Sequence, residues 1–136
     1  MAFEKTIDIS FGDCDPAGIL FYPNYFRWFD ATFQSFLKTR NLDQGLLQKK
    51  LGTIGTGLID VGASFRAPAS YGDTLAIRLC GIDWTDRTFR ITYEGRVGER
   101  TVVEGFELRG VFMRDGERLK AAPVAALKDL VGDLAP

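Results

Sequence analysis

A run of aromatic residues after Pro23 constrains the fold of this chain more than any other feature. Large apolar side chains recur there at helical spacing and share one side of a helix, namely Tyr25, Phe26, Trp28, Phe29, Phe33, Phe36 and Leu37. Arg27, Gln34 and Lys38 fall on the opposite side. Pro23 suits the first helical position, where its missing N–H group costs nothing. A stripe this wide predicts a long helix that is enclosed by a sheet.

The flanking segments have the two-residue period of β-strands. Apolar and polar residues alternate in segments 5–11, 59–65, 75–79 and 89–93, and segment 102–113 is a longer strand-like run. Turn signals separate these runs, and Asp115-Gly116 is a strong one. Further helices are predicted at residues 44–50 and 121–134. The order of strand, helix and about four antiparallel strands predicts one α+β domain over residues 1–136, with one central helix.

The composition excludes several classes of function. The chain has 17 basic and 18 acidic residues and a net charge of -1, which argues against nucleic-acid and membrane partners because both normally need a basic patch. No apolar stretch approaches a membrane span and the first residues, MAFEKTIDIS, lack the charged-then-apolar order of a signal peptide, so we expect a cytoplasmic protein. The sequence contains no histidine, which removes catalytic triads, Cys–His pairs and imidazole ligands. Acid–base chemistry must then rest on carboxylates, Lys, Tyr, Cys or water.

Two alternatives to carboxylate chemistry are disfavoured around Cys14. Asp13 and Asp15 flank this cysteine and oppose formation of a thiolate, so Cys14 is expected to be a small buried apolar residue, as is Cys80. The same two aspartates supply only two oxygen ligands and lack the spacing of a calcium loop. The sequence therefore predicts neither a reactive thiol nor a metal site.

Asp15 is the candidate for a working carboxylate. It precedes Pro16, which favours an extended backbone, and a bend at residues 17–18 then leads toward the helix that begins near Tyr22. A helix N-terminus offers free N–H groups and a partial positive charge. A carboxylate beside it combines a base or nucleophile with donors for an oxyanion. On spacing alone, the alternative that both aspartates only cap turns stays open.

The stretch FGDCDPAGILFYPNYFRWFD, residues 11–30, resembles the N-terminal signature of the 4-hydroxybenzoyl-CoA thioesterase family, a branch of the hotdog fold. The matching residues are Asp13, Asp15, Gly18, Tyr22, Pro23, Asn24 and Tyr25. A second feature of the family, before a strand, matches Tyr71, Gly72, Asp73 and Leu75. The resemblance covers nearly the whole chain. It implies a long helix wrapped by an antiparallel sheet, in agreement with the order of elements above.

The resemblance also implies an activity, the hydrolysis of an acyl-CoA to a carboxylic acid and coenzyme A, without a cofactor or metal. Asp15 is then the catalytic carboxylate, as a nucleophile or as a base that activates water, and the backbone N–H of Tyr22 polarises the thioester carbonyl. Gly18 is expected to contact the substrate, and Asp13 to be structural. Pro23 favours an aryl acyl group of the 4-hydroxybenzoyl or benzoyl type, because relatives that act on aliphatic acyl groups carry histidine there.

Further substrate contacts are expected at Asp30 and at basic residues. Asp30 lies at the edge of the aromatic stripe and is either a solvated boundary residue or the acceptor of a hydrogen bond from a substrate hydroxyl. The phosphates of coenzyme A are expected to bind positively charged side chains. The candidates are Arg87 and Arg118, together with Arg114 and Lys120. These four residues are equally plausible as ordinary solubilising charges.

Two other functions stay open as alternatives, and the sequence also predicts an assembly. A short-chain aliphatic acyl-CoA or acyl-carrier-protein thioesterase is one alternative, and a non-catalytic acyl-CoA-binding module is another. A hydratase is disfavoured because such sites usually rely on histidine. One sheet around one helix leaves an edge or face to cover, and residues 52–65 are apolar and glycine-rich, so a homodimer or homotetramer is expected.

Overall fold

A helix of 17 residues, α1 (Pro23–Thr39), forms the centre of the fold. The computed structural model describes residues 3–132. The buried face of α1 consists of Tyr25, Trp28, Phe29, Thr32, Phe33, Phe36 and Leu37. The predicted aromatic stripe is therefore confirmed, with Phe26 half-buried at its margin. Removing so many large rings from water provides the main driving force for docking this helix.

The strands are β1 (Phe3–Asp8), β2 (Gly55–Phe65), β3 (Thr74–Trp84), β4 (Phe89–Val97), β5 (Arg100–Asp115) and β6 (Arg118–Ala122). They form one antiparallel sheet in the order β1-β3-β4-β5-β2, and β6 pairs with the end of β5. Two shorter helices, α2 (Gln44–Leu51) and α3 (Ala125–Val131), complete the chain. A long helix wrapped by an antiparallel sheet is the hotdog arrangement, so the predicted α+β class is confirmed.

The inner face of the sheet carries the core. Alternate residues of β3 and β4 are at most 1% exposed, namely Leu75, Ile77, Leu79, Phe89, Ile91 and Tyr93. The ring of Phe29 on α1 stacks on the ring of Tyr93, with centroids 4.6 Å apart. The two-residue period predicted for these segments is thus confirmed, because the helix covers only one face of the sheet.

The first predicted strand extends too far. β1 ends at Asp8, and Phe11 lies in a 3-10 turn (Phe11–Asp13) with 80% of its surface exposed. The cause is a capping interaction, in which the backbone N–H and the hydroxyl of Ser10 both donate to the Asp13 carboxylate at 2.9 Å. This local bonding competes with the strand and turns the chain.

The C-terminal helix is shorter than predicted. Ala121 and Ala122 belong to β6, where they pair with Phe112 and Val111, and α3 begins at Ala125. The hairpin that the Asp115-Gly116 turn signals thus adds a strand before the helix, and residues 133–134 of the predicted helix lie outside the described residues. No helix within the described range is both long and apolar enough to span a membrane.

The prediction for the two cysteines is wrong in one case. Cys80 is exposed and lies on β3, whereas Cys14 is half-buried with its Sγ 3.7 Å from the carbonyl oxygen of Ser10. Leu79, the neighbour of Cys80 on the strand, points into the core and is fully buried. Cys80 therefore takes the outer side of the sheet, opposite the face that carries the core.

We predict that Gly105→Ala destabilises the fold, because β5 passes directly beneath α1 at this residue. A Cβ there would lie 2.5 Å from Cε2 of Phe29 and 2.8 Å from the carbonyl oxygen of Gly62. Overpacking of this kind should lower the free energy of unfolding by ~1–3 kcal/mol in urea titrations. Gly81→Ala in β3 is the control, since a Cβ there meets open space. Equal losses for the two variants would contradict this account of the packing.

Candidate active site

The loop between β1 and α1 presents Asp15 beside the start of the helix. The backbone N–H of Asp15 donates to Ile19 and its carbonyl accepts from Gly18, both at 2.9 Å. Gly18 has a φ of 82°, which the turn requires and which a side chain would disfavour. A β-bridge between Ile19 and Ser70 ties the loop to the segment before β3. The loop is thereby held to the sheet.

The carboxylate of Asp15 has one occupied and one free oxygen. Its Oδ1 accepts a hydrogen bond of 2.9 Å from the backbone N–H of Ala17. Its Oδ2 has no hydrogen-bond or ion-pair partner within residues 3–132. Because the side chain is half-buried and oriented by the first contact, the second oxygen is available to act as a base or nucleophile.

A free backbone donor lies at the start of α1. Tyr22 is the N-cap residue, and the N–H groups of Asn24 and Tyr25 donate to the carbonyls of Phe21 and Tyr22. Pro23 has no N–H group. The N–H of Tyr22 has no partner in the described part of the chain, and the helix dipole adds a partial positive charge at this end.

Asp15 and Tyr22 line the same cavity, which has a volume of about 450 Å³. The other lining residues are mostly apolar or aromatic, namely Ile19, Leu20, Tyr25, Phe65 and residues 66–69. Asp15 also lines a second cavity of about 360 Å³, together with Gly18, Phe11, Cys14, Pro16, Ser70 and Tyr71. The structure therefore brings three of the predicted site residues together.

Tyr25 adds a neutral hydroxyl to the wall of the first cavity. Its side chain is 4% exposed and its ring packs 5.6 Å from the ring of Phe65. Burial raises the pKa of Tyr25 to about 12, helped by Asp73 and opposed by Arg100. The hydroxyl has no hydrogen-bond partner among residues 3–132, so at neutral pH it is a protonated group that can donate to a ligand.

Asp13 supports the loop through its local contacts. Besides accepting two hydrogen bonds from Ser10, its carboxylate lies 3.7 Å from the guanidinium of Arg27. Its carbonyl oxygen accepts from the backbone of Phe21 and from Nδ2 of Asn24, both at 2.9 Å. These contacts agree with the structural role expected for this residue.

Asp30 lies outside the lining of both cavities. Its Oδ1 accepts from Nη2 of Arg109 at 2.7 Å and from Nε2 of Gln34 at 3.2 Å. Arg109 is buried and also donates a hydrogen bond to the buried carboxylate of Glu107 on the same strand. The sequence analysis missed both residues of β5. Their signal was available, because two charges at positions i and i+2 of a strand share a face, here the inner one.

Arg87 and Arg118 lie at the opposite end of the sheet from Asp15. Arg87 follows the end of β3 and donates to the carbonyl of Ala121, and Arg118 begins β6. The loop of Asp15 is tied to Ser70, just before β3, so the length of that strand separates the two regions by roughly 30 Å. Within a single copy of the chain, Arg87 and Arg118 therefore lie too far from Asp15 to share a site with it.

The basic residue at the cavity is Arg66, whose guanidinium pairs with Glu104 at 3.0 Å. Arg114 and Lys120 belong to the distant β5–β6 hairpin. Within residues 3–132, no group of three or more His, Cys, Asp or Glu residues is arranged to hold a metal ion.

The family model of the thioesterase-like superfamily matches residues 9–130. The chain belongs to this superfamily. It is 39% identical over 128 residues to the 4-hydroxybenzoyl-CoA thioesterase of Pseudomonas sp. (strain CBS-3), a match that covers 87% of this chain and 88% of that protein. The predicted family is thus confirmed, and the chain is a thioester hydrolase.

Two solved structures with similar sequences share the fold. One is a 4-hydroxybenzoyl-CoA thioesterase with an aspartate-to-asparagine mutation, in complex with 4-hydroxybenzoyl-CoA. It matches with a TM-score of 0.83 and 34% identity, over 96% of this chain and 99% of that one. The other is a gentisyl-coenzyme A thioesterase, with a TM-score of 0.78 and 28% identity, over 90% of this chain and 96% of that one.

We predict that Tyr25 makes the protein less stable at alkaline pH. The Tyr25 hydroxyl has its ordinary pKa of 10.0 in the unfolded chain and a pKa of about 12 in the folded protein. Between these two pH values only the folded state keeps the proton. Stability must then fall as pH rises, by about 3 kcal/mol in total. Urea unfolding at increasing pH should show a smaller fall for Tyr25→Phe than for the wild type. Identical pH profiles would show that the hydroxyl titrates normally.

Proposed function

We propose that this chain is an acyl-CoA thioesterase that hydrolyses an aryl-CoA thioester of the 4-hydroxybenzoyl or benzoyl type, with Asp15 as nucleophile or general base. The observation that carries the proposal is that two residues line one cavity, Asp15 with a free carboxylate oxygen and Tyr22 with an unpartnered backbone N–H. Acyl transfer needs these two elements together.

The proposed chemistry balances without histidine. The thioester carbonyl oxygen accepts the N–H of Tyr22, and the negative charge that develops on it is stabilised by the helix N-terminus. Asp15 either attacks the carbonyl carbon, forming a mixed anhydride that water then cleaves, or takes a proton from the attacking water. In both cases the thiolate of coenzyme A leaves. Because a thiol has a pKa of about 8.5, this leaving group needs no strong acid.

The proposed acyl site runs along α1 from Tyr22 to Asp30. Tyr22, Phe26 and Asp30 are spaced by four residues and lie on one face of the helix. Tyr22 and Asp30 are separated by about 12 Å of helical rise, and the side chain of Asp30 leans toward the N-terminus. An aryl ring on Phe26, with hydrogen bonds of about 3 Å at both ends, fits this spacing. Asp30 then accepts a hydroxyl of the ring.

An aryl acyl group is favoured over an aliphatic one by the aromatic surroundings. The rings of Tyr22 and Tyr25 both lie near Phe65, at 6.2 and 5.6 Å. Aromatic side chains at such distances offer edges and faces for a further ring. The relative with 39% identity is named for an aryl-CoA substrate, which supports the same choice. A non-catalytic binding module would have no use for the free oxygen of Asp15.

Contacts of Arg87 and Arg118 with coenzyme A require a second copy of the chain. Their distance from Asp15 along β3 means that the phosphates of a substrate bound in one copy would meet these two residues of a neighbour. We infer that, in an assembly of several copies, Arg87 and the β5–β6 hairpin of one copy contact the coenzyme A phosphates bound at the active site of its neighbour. Arg66, which lines the cavity, is the positively charged residue of the same copy that would contact the substrate.

The decisive test is the replacement of Asp15 by Asn. Asp15→Asn keeps the shape of the side chain and removes its charge and nucleophile, so kcat on 4-hydroxybenzoyl-CoA should fall by at least ~100-fold. The midpoint of thermal unfolding should change little, because this carboxylate makes only one local hydrogen bond. Both values are obtained from release of free thiol and from a thermal melt.

Two neighbours of Asp15 serve as internal controls. Asp13→Asn should lower stability more than turnover, since Asp13 caps the preceding turn. Cys14→Ala should retain activity, because its thiol faces the carbonyl oxygen of Ser10 and Cys14 does not line the cavity that Asp15 shares with Tyr22. If Asp15→Asn keeps near-normal hydrolysis while Cys14→Ala abolishes it, the thiol is the reactive group and the proposal fails.

We propose further that β2 pairs with a second copy to form a dimer. β2 has 11 residues and forms one edge of the sheet, where Leu58, Ile59 and Phe65 are about half exposed. The opposite edge, β1, is shorter and carries Glu4, Lys5 and Asp8. A long apolar edge strand is a template for pairing, and charges protect the other edge. The dimer would also cover the proposed acyl site beside β2.

Sedimentation at micromolar concentration should show a dimer or a tetramer. Leu58→Asp places a charge on the exposed edge and should shift the equilibrium toward monomer. Thr6→Asp, at an exposed residue of the opposite edge strand β1, is the matched control and should leave the assembly unchanged. A stable wild-type monomer would refute the assembly without touching the proposed activity.

A further inference from the structure

A chain of charged and polar side chains crosses the core beneath α1 and ends at Asp30. The side chains of Arg109 and Glu107 are only 5% and 1% exposed. Arg109 donates to both carboxylate oxygens of Glu107, from Nε at 3.1 Å and from Nη2 at 3.0 Å. The Tyr93 hydroxyl donates to the same carboxylate at 2.6 Å. The guanidinium also lies 4.9 Å from the ring centroid of Phe33.

This network holds the guanidinium of Arg109 rigidly. A bidentate pair fixes the plane of the fork, and the Phe33 ring restricts its face. Burial by itself would lower the pKa of Arg109, but its hydrogen bonds and charge pairing with Glu107 outweigh that effect and raise the pKa. Arg109 is therefore a permanent cation. Since Glu107 already balances its charge, neutrality of the core does not require Asp30.

At Asp30 the two carboxylate oxygens have different environments. Oδ1 accepts from Arg109 at 2.7 Å and from Gln34 at 3.2 Å. Oδ2 has no partner in the described part of the chain, and the side chain is 53% exposed. Both contacts come from donors, so they orient the carboxylate and leave its second oxygen free, on a residue that shares a helix face with Tyr22 and Phe26.

We propose that Arg109 is a positioning residue for acyl specificity. It orients Asp30 so that the free oxygen accepts a hydrogen bond from a hydroxyl at the end of the acyl ring remote from the thioester. Arg109 itself does not touch the substrate. This inference rests on the proposed function and narrows the substrate to hydroxylated aryl-CoA thioesters.

The test measures a hydroxyl preference, defined as kcat/KM for 4-hydroxybenzoyl-CoA divided by kcat/KM for benzoyl-CoA. Asp30→Ala should lower this preference at least ~10-fold, the loss expected for one hydrogen bond to a charged group. Asp30→Asn should also lower it. Arg109 and Gln34 are both donors and hold the amide oxygen, so the substrate hydroxyl loses its charged acceptor and meets the amide N–H₂, which offers only a weaker neutral hydrogen bond. An Asp30→Asn variant that keeps the wild-type preference would overturn the proposal.

Arg109→Lys provides the second measurement. Lysine keeps the charge but lacks the planar fork, so it cannot bind Glu107 and orient Asp30 together. The preference should fall ~10-fold, and it should fall no further in an Asp30→Ala background. Arg96→Lys is the matched control, because Arg96 pairs with Glu94 and lies far from Asp30. An unchanged preference in Arg109→Lys would overturn the proposal.

Measurements on the wild-type enzyme distinguish a failure of the role proposed for Arg109 from a failure of the proposed thioesterase function. Hydrolysis of both thioesters with equal kcat/KM would refute the role of Arg109 and leave the proposed thioesterase intact. Failure to hydrolyse either thioester would refute the aryl-CoA function and this inference with it. If Arg109→Lys does not fold, Asp30→Asn decides alone, since its side chain is half exposed and leaves the buried pair untouched.

Discussion

Burial of the aromatic face of α1 against the sheet is the interaction on which the other features depend. It fixes the helix along its whole length, and the proposed site is arranged on that same helix. The N-terminus carries the free N–H of Tyr22, and the middle carries Asp30 above the buried Arg109. Because close-packed rings resist displacement, the distance between these two groups is set by the core. Precision at the site therefore comes from packing that has no part in the chemistry.

The electrostatic design separates two kinds of carboxylate. Glu107 is buried, receives three hydrogen bonds and serves to hold Arg109. Asp15 and Asp30 are partly exposed and each keeps one oxygen without a protein partner within residues 3–132. A fully satisfied carboxylate stabilises structure, whereas a half-satisfied one is oriented and still able to accept a bond. In a chain without histidine, this difference in hydrogen bonding separates the structural Glu107 from the two carboxylates that we propose act on the substrate.

Much of the fold was predictable because burial imposes a period on the sequence. The stripe of α1 and the alternation in β3 and β4 follow from one apolar face each, and the structure confirms them. Predictions failed where short-range hydrogen bonding or hairpin geometry decides. Ser10 and Asp13 end β1 early through a capping pair, and β6 takes residues 121–122 from the predicted helix. Such contacts leave no periodic trace.

For the site, the sequence by itself determined the chemistry available: no imidazole, an aspartate before proline, and a helix start with a proline. Only the tertiary structure decided which groups meet. It placed Asp15 and Tyr22 in one cavity through the bridge of the loop to Ser70, and it carried Arg87 to the far end of β3. Spacing along a chain fixes neighbours within one element, but proximity between elements depends on how their buried faces pack.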